Sequence, residues 1–178
     1  MLAFSAGDAG AFDRLYARHK GTVFRFVARS LPSHADAEEV FQEVWMKAIE
    51  ARGRYEPRAR FTTWIYSIAH NHLVDRWRRK GLSLVPLDSG EEDGDRPAID
   101  PPDDPANEPF AQLATRQALD RFAAALRALP PPQREAFLLK EEAGLSIAEI
   151  AAATGTDEEA AKSRVRYATA KLRQALDG

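Results

Sequence analysis

Cysteine is absent from all 178 residues. That excludes a disulfide scaffold, a thiolate metal site and a thiol nucleophile, and nothing in the chain calls for an oxidising compartment. Long apolar runs are missing too. None approaches the roughly 20 residues that cross a bilayer, and Met1 to Gly10 carry neither the basic nor the apolar stretch of a secretion signal. Secretion and membrane insertion are not expected, and the reducing cytoplasm is the expected location. What the chain has in quantity is charge, 25 Lys and Arg against 27 Asp and Glu, alongside 44% hydrophobic residues, enough for one domain or two small ones.

The net charge is only −2, but it is segregated. Residues 1–85 hold 14 basic and 9 acidic side chains, residues 86–112 hold 1 and 9, and residues 113–178 hold 10 and 9. The middle stretch also takes six of the eleven prolines, Pro86, Pro97, Pro101, Pro102, Pro105 and Pro109. A segment so acidic, proline-rich and poor in large apolar residues cannot offset its conformational entropy by burial, and an extended linker is expected there. Two domains follow, split near residues 85 and 113.

Helical spacing dominates on both sides of the linker. Leu15, Tyr16, Val23, Phe26 and Val27 make one buried stripe, ended by Pro32. A second helix, opened by Asp36, repeats Ala37, Val40, Phe41, Val44, Trp45, Ala48 and Ile49 at near-ideal amphipathic spacing. Its other face carries Glu39, Gln42, Glu43, Met46 and Glu50, which on the helix alone reads first as a solvated face and second as a docking surface for a basic or polar helix. An arginine-rich loop, Arg52 to Arg60, leads to a third helix capped by Thr62 or Thr63, with Phe61, Trp64, Ile65, Ile68 and Ala69 toward the core. Beyond Ala69 the apolar pattern fades into Arg76, Arg78, Arg79 and Lys80, with Trp77 among them and Trp64 and Tyr66 upstream. Cations interleaved with aromatics suit a surface that neutralises phosphates and stacks bases. His70 and His72 are no metal site, because side chains two apart on a helix point about 200° apart.

In the C-terminal part, Ala118, Phe122, Ala125, Leu126 and Leu129 keep helical spacing up to Pro130-Pro131-Pro132, and a further helix, Gln133 to Glu142, ends at Gly144. Ser146-Ile147-Ala148-Glu149 is a capping box, Gly155 marks a turn, and Thr156-Asp157-Glu158-Glu159 is a second capping box. Two short helices joined through a glycine turn are what a helix-turn-helix requires. The second buries Ala161, Val165, Ala168, Leu172 and Leu176 and shows Lys162, Ser163, Arg164, Arg166, Tyr167, Lys171 and Arg173. Cations this early in a helix are not explained by its dipole and suit base edges and phosphates in a major groove.

Four of these segments together resemble a bacterial RNA polymerase sigma factor of the extracytoplasmic-function type. They are Ala11-Phe12-Asp13-Arg14-Leu15-Tyr16, Asp36-Ala37-Glu38-Glu39-Val40-Phe41-Gln42-Glu43-Val44-Trp45, Phe61-Thr62-Thr63-Trp64-Ile65-Tyr66-Ser67-Ile68-Ala69-His70-Asn71 and Gly144-Leu145-Ser146-Ile147-Ala148-Glu149-Ile150-Ala151. The resemblance implies an all-α protein. A region 2 bundle (1–85) would dock on core polymerase and recognise and melt the −10 element, and a region 4 helix-turn-helix (113–178) would read the −35 element. On this resemblance Asp36, Glu39, Gln42 and Glu43 dock on the coiled coil of the polymerase largest subunit. Arg54, Tyr55, Phe61 and Asn71 hold a flipped −10 base, Trp64 belongs to the same −10 surface, and Arg76, Arg78 and Arg79 lie along the strand backbone. Lys162, Ser163, Arg164, Arg166, Tyr167 and Lys171 read the −35 element. The acidic linker threads toward the RNA exit path, the polymerase flap and an anti-sigma factor are further expected partners, and neither cofactor nor metal is expected. Only Met1 to Ala6 stand where relatives have an extra N-terminal helix, and no third domain is expected after Leu176.

The residues leave one other function open, a polymerase-independent helix-turn-helix regulator with its N-terminal helices used for dimerisation. An enzyme is not expected, since no nucleophile, base or metal set converges in the sequence.

Overall fold

The computed structural model describes residues 1–81 and 109–177. Among the described residues there are helices and turns but no strand. They form α1 (Leu2–Ser5), α2 (Ala9–Ser30), α3 (His34–Glu50), a 3-10 turn (Ala51–Arg54), α4 (Phe61–Arg79), α5 (Pro109–Ala128), α6 (Pro131–Glu141), α7 (Ile147–Thr154) and α8 (Glu158–Asp177). Most of the expected 86–112 linker lies outside the described residues. Its last four residues belong to α5, because a proline is well accommodated at the start of a helix.

The first four helices make the N-terminal bundle. Ser33 caps α3 with its hydroxyl accepting from the Asp36 amide, so the helix starts two residues before Asp36. The apolar stripe of α3 packs as its spacing requires, with Val40, Val44 and Ala48 fully buried. Phe12, Tyr16 and Phe41 surround Trp45, with Tyr16 edge-on to it at 4.8 Å. The short α1 adds Phe4, which meets Phe12 at 4.9 Å and lies under the Arg52 guanidinium.

Helix α4 departs from the sequence reading in two ways. Neither Thr62 nor Thr63 caps it: Arg60 is the N-cap residue, without a side-chain bond, and Thr63 sits inside the first turn, buried. Nor does the core stripe fade after Ala69, because Leu73 and Trp77 continue it at four-residue steps. Trp77 is 1% exposed and donates its indole N–H to the Ser30 carbonyl, and Tyr66 packs edge-on to Phe26 at 5.1 Å. Both are core residues and offer no face to a base.

Helices α5 to α8 form the second unit. Pro131 and Pro132 occupy the first turn of α6, whose missing amide hydrogen bonds cost nothing there. The Ser146–Glu149 capping box is complete, and Gly155 ends α7 in the left-handed conformation at φ +62° that the turn into α8 needs. Asp157, not Thr156, caps α8, accepting from the Ala160 amide at 2.7 Å, while the Thr156 hydroxyl turns to Thr154. Ala161, Ala168 and Leu172 are buried as expected, but Leu176 is exposed. The two units pack against each other, α4 on α7 and α2 on α6, and their buried side chains form one apolar cluster.

Candidate nucleic-acid and protein interfaces

The acidic face of α3 is partly occupied from within. Helix α4 runs antiparallel to it and presents His72, Arg76 and Lys80 in one row. His72 Nδ1 lies 3.1 Å from Glu43, Arg76 Nη1 lies 3.1 Å from Glu39 and 3.3 Å from Asp36, and Lys80 pairs with Asp36. Lys80 above all holds the Asp36 carboxyl below its ordinary value of 3.8. Glu39 above all raises Arg76. Of the four acid-face residues, Glu39 and Gln42 are exposed, whereas Asp36 and Glu43 are half-buried. Gln42 borders an apolar groove of about 320 Å³ lined by Tyr16, Phe41, Trp45, Met46 and Ile49.

These pairs carry a pH prediction. Asp36 has a lowered carboxyl in the folded chain, so its contribution is complete above 3.8 and is lost as pH falls through the folded value. The stability difference between the wild type and Asp36→Asn should therefore persist at pH 6 and close in acid below 3.8, as read by urea unfolding at each pH.

On the other side of the bundle, Arg54, Glu56, Arg58, Ala59, Thr63, Trp64 and Ser67 line a cleft of about 430 Å³. Tyr55 stands edge-on to Trp64 at 4.9 Å and Phe61 meets the same indole at 5.7 Å, so Arg54, Tyr55, Phe61 and Trp64 come together. Burial raises the Tyr55 hydroxyl, which stays a neutral donor. Trp64, Asn71 and Arg78 follow at seven-residue steps, which put them on one side of α4, roughly 10 Å apart. Asn71, Arg78 and Arg79 are exposed. Arg76 does not point with them: it is turned onto the carboxylates of α3.

The far wall of this cleft belongs to the other unit. Ala152 of α7 closes it, and Glu149 Oε1 lies 3.4 Å from both Arg60 Nη1 and Thr63 Oγ1. Backbone bonding from Ser146 is the first cause that lowers the Glu149 carboxyl, so it meets Arg60 as an anion. His70 Nδ1 lies 2.8 Å from Glu135 of α6, a carboxylate 2% exposed, and Arg29 pairs with Glu142. His70 and His72 thus serve different neighbours, on opposite sides of α4. Among the described residues no group of His, Asp and Glu is placed to hold a metal ion.

Helix α8 is uncovered along the face that sequence reasoning assigns to DNA. Lys162, Ser163, Arg166 and Lys171 are exposed. Arg164 and Tyr167 are half-buried, and Lys171 lies over the Tyr167 ring at 5.7 Å. The first turn's Glu158 and Glu159 complement the helix dipole, which does not account for the cations that follow them.

An all-helical chain with an aromatic-arginine cleft in one unit and a helix-turn-helix in the other defines a DNA-binding protein of the sigma class. The family descriptions Sigma-70 region 2 and Sigma-70 region 4 match residues 15–82 and 119–172. The chain is 37% identical to the RNA polymerase sigma factor CarQ of Myxococcus xanthus over 99% of its length and 95% of that protein's. It is 31% identical to the ECF sigma factor SigM of Mycobacterium tuberculosis over 99% and 82%. A solved structure of CnrH in complex with the cytosolic domain of CnrY, 25% identical, superposes with a TM-score of 0.67 over 97% of this chain and 92% of that one. The chain belongs to the extracytoplasmic-function sigma factors of bacterial RNA polymerase, which direct promoter-specific initiation, and this family membership sets aside the polymerase-independent regulator. No described helix is long and apolar enough to cross a membrane.

Proposed function

We propose that residues 1–85 dock on core polymerase and capture the −10 element, and that residues 113–178 read the −35 element. The observation that carries this division is the polarity of the N-terminal bundle, anionic on α3 and cationic with aromatics along the other side of α4. Glu39, Gln42 and Glu43 meet the coiled coil of the polymerase largest subunit, with Asp36 supporting them from behind. Arg54, Tyr55, Phe61 and Trp64 take a base flipped from the −10 strand, and Asn71, Arg78 and Arg79 follow its backbone. Stacking returns about 1–3 kcal/mol per base, comparable to the cost of unstacking it. Lys162, Ser163 and Arg166 face base edges in the −35 major groove, Arg164 and Tyr167 flank them, and Lys171 holds a phosphate.

CnrH is solved in complex with the cytosolic domain of CnrY, and a protein partner, an anti-sigma factor in the cytoplasm, is proposed for this chain too. With α7 against the cleft, −10 capture requires the two units to part, so bare promoter DNA should bind weakly. The test is reconstitution with core polymerase on fragmented genomic DNA, followed by sequencing of the transcripts. Start sites preceded by a shared −35/−10 pair are expected. Failure to bind core, or a symmetric footprint without core, overturns the reading.

A further inference from the structure

Three cations at the end of α4 look alike in sequence, yet only one is withdrawn from solvent. Arg78 and Arg79 are exposed, whereas the Arg76 side chain is 11% exposed and reaches three carboxylates of α3. Its Nη1 bonds Asp36 and Glu39, and its Nη2, 3.9 Å from Glu43, is buried with no hydrogen-bond partner. A guanidinium is a planar fork that can hold carboxylates at a fixed spacing, which a flexible ammonium cannot. The Glu39 side chain keeps 58% of its surface, so the carboxylate held by Arg76 still has a side open to a partner, and Glu43 beside it keeps 39%.

From this geometry we infer that Arg76 is a positioning residue of the polymerase-docking face and not a promoter contact: it fixes the Glu39 carboxylate, which the coiled coil meets, against Asp36. The inference rests on the proposal that α3 is the docking face. Glutamates on an exposed helix lose rotamer freedom when a partner binds, and carboxylates already held by Arg76 have lost much of it beforehand.

The sign of the Arg76→Ala effect separates three accounts. Asp36, Glu39 and Glu43 against Arg76 and Lys80 leave the face at −1 with His72 neutral, and removing Arg76 takes it to −2. A purely electrostatic face would then bind a basic coiled coil more tightly. A phosphate-contacting arginine would leave core affinity unchanged and lower the salt slope of promoter binding by about 1. A positioning arginine weakens core binding and leaves that slope alone.

The experiment measures the Kd for core polymerase and the salt dependence of promoter binding by saturated holoenzyme, for the wild type, Arg76→Ala, Arg76→Lys, Glu39→Gln and the double variant Arg76→Ala with Glu39→Gln. Arg76→Ala should raise Kd about tenfold, equal to about 1.4 kcal/mol. Arg76→Lys should recover part of that loss, and the salt slope should stay at the wild-type value. In the double variant Arg76→Ala should cost much less than alone, since the carboxylate it positions is gone. A merely structural arginine would instead give additive losses. Tighter or unchanged core binding by Arg76→Ala, additive losses, or a lowered salt slope overturns the inference. If Glu39→Gln leaves Kd unchanged, the docking face itself is misplaced, and the inference falls with it. If Glu39→Gln weakens binding while Arg76→Ala does not, only the role of Arg76 falls.

Discussion

Reversing the charge of Glu39 and Glu43 to lysine together should weaken binding to core polymerase by at least about 100-fold, or about 2.8 kcal/mol. Each substitution removes an attraction and places a like charge against a basic partner, and like-charge juxtaposition at an interface costs several kcal/mol. Both side chains retain open surface, so a partner can reach them, and both sit beside Arg76, so the reversal also loosens the α3–α4 contact. A variant carrying Glu141→Lys and Glu158→Lys separates specific docking from net charge, because these two exposed acids lie on α6 and α8, in the other unit from α3. That variant makes the same charge change and should bind core normally. The deficit of the docking variant should shrink in 1 M salt, where charges are screened beyond about 3 Å. Equal losses in both variants would mean that overall charge, and not this face, governs core binding.

The elements that were legible in the sequence are those whose pattern is local. The α3 stripe from Ala37 to Ile49 and the Ser146–Glu149 box depend on residues within one helix, and both are present as expected. Choices between similar neighbours were not legible. Thr156 and Asp157 both cap helices well, and only the backbone direction at the turn selects Asp157. The continuation of the α4 core through Leu73 and Trp77 was hidden by the flanking arginines, although Ala69, Leu73 and Trp77 keep four-residue steps.

The candidate surfaces divide along the same line. Only the family resemblance grouped Arg54, Tyr55 and Phe61, since helical spacing by itself places Phe61 and Trp64 toward the core, and the fate of Arg76 depends on a helix 40 residues earlier. One signal was available: His72, Arg76 and Lys80 at four-residue steps match Glu43, Glu39 and Asp36 read backward along α3. The partners of His70 and Arg60, 65 and 89 residues away, carried no such signal, because nothing in the sequence brings the two units together.

That packing leads to the second large effect. The contacts between the units combine the pairs Arg60 with Glu149, His70 with Glu135 and Arg29 with Glu142 with an apolar centre continuous with both cores. Opening exposes that apolar surface and returns carboxylates such as Glu135 to water, and differential binding by polymerase must supply the difference to hold the chain open. A covalent link removes that option. Ser67 of α4 and Ala152 of α7 both line the cleft, and the absence of native cysteine makes Ser67→Cys with Ala152→Cys addressable by a reducible bis-thiol reagent without side reactions. Before linking, the variant sets its own reference level of initiation, because Ser67 lines the cleft, and every effect of linking is read against that level. After linking, initiation from a −35/−10 promoter should fall at least about 100-fold, down to the unlinked fraction, and return on adding reductant. The recognition face of α8 is uncovered in the packed arrangement, so the linked chain should still bind −35 duplex with the weak affinity of the unlinked one. The reagent on Ser67→Cys alone controls for the adduct itself. Undiminished initiation by the linked chain would show that α7 need not leave the cleft and that the −10 strand is captured elsewhere.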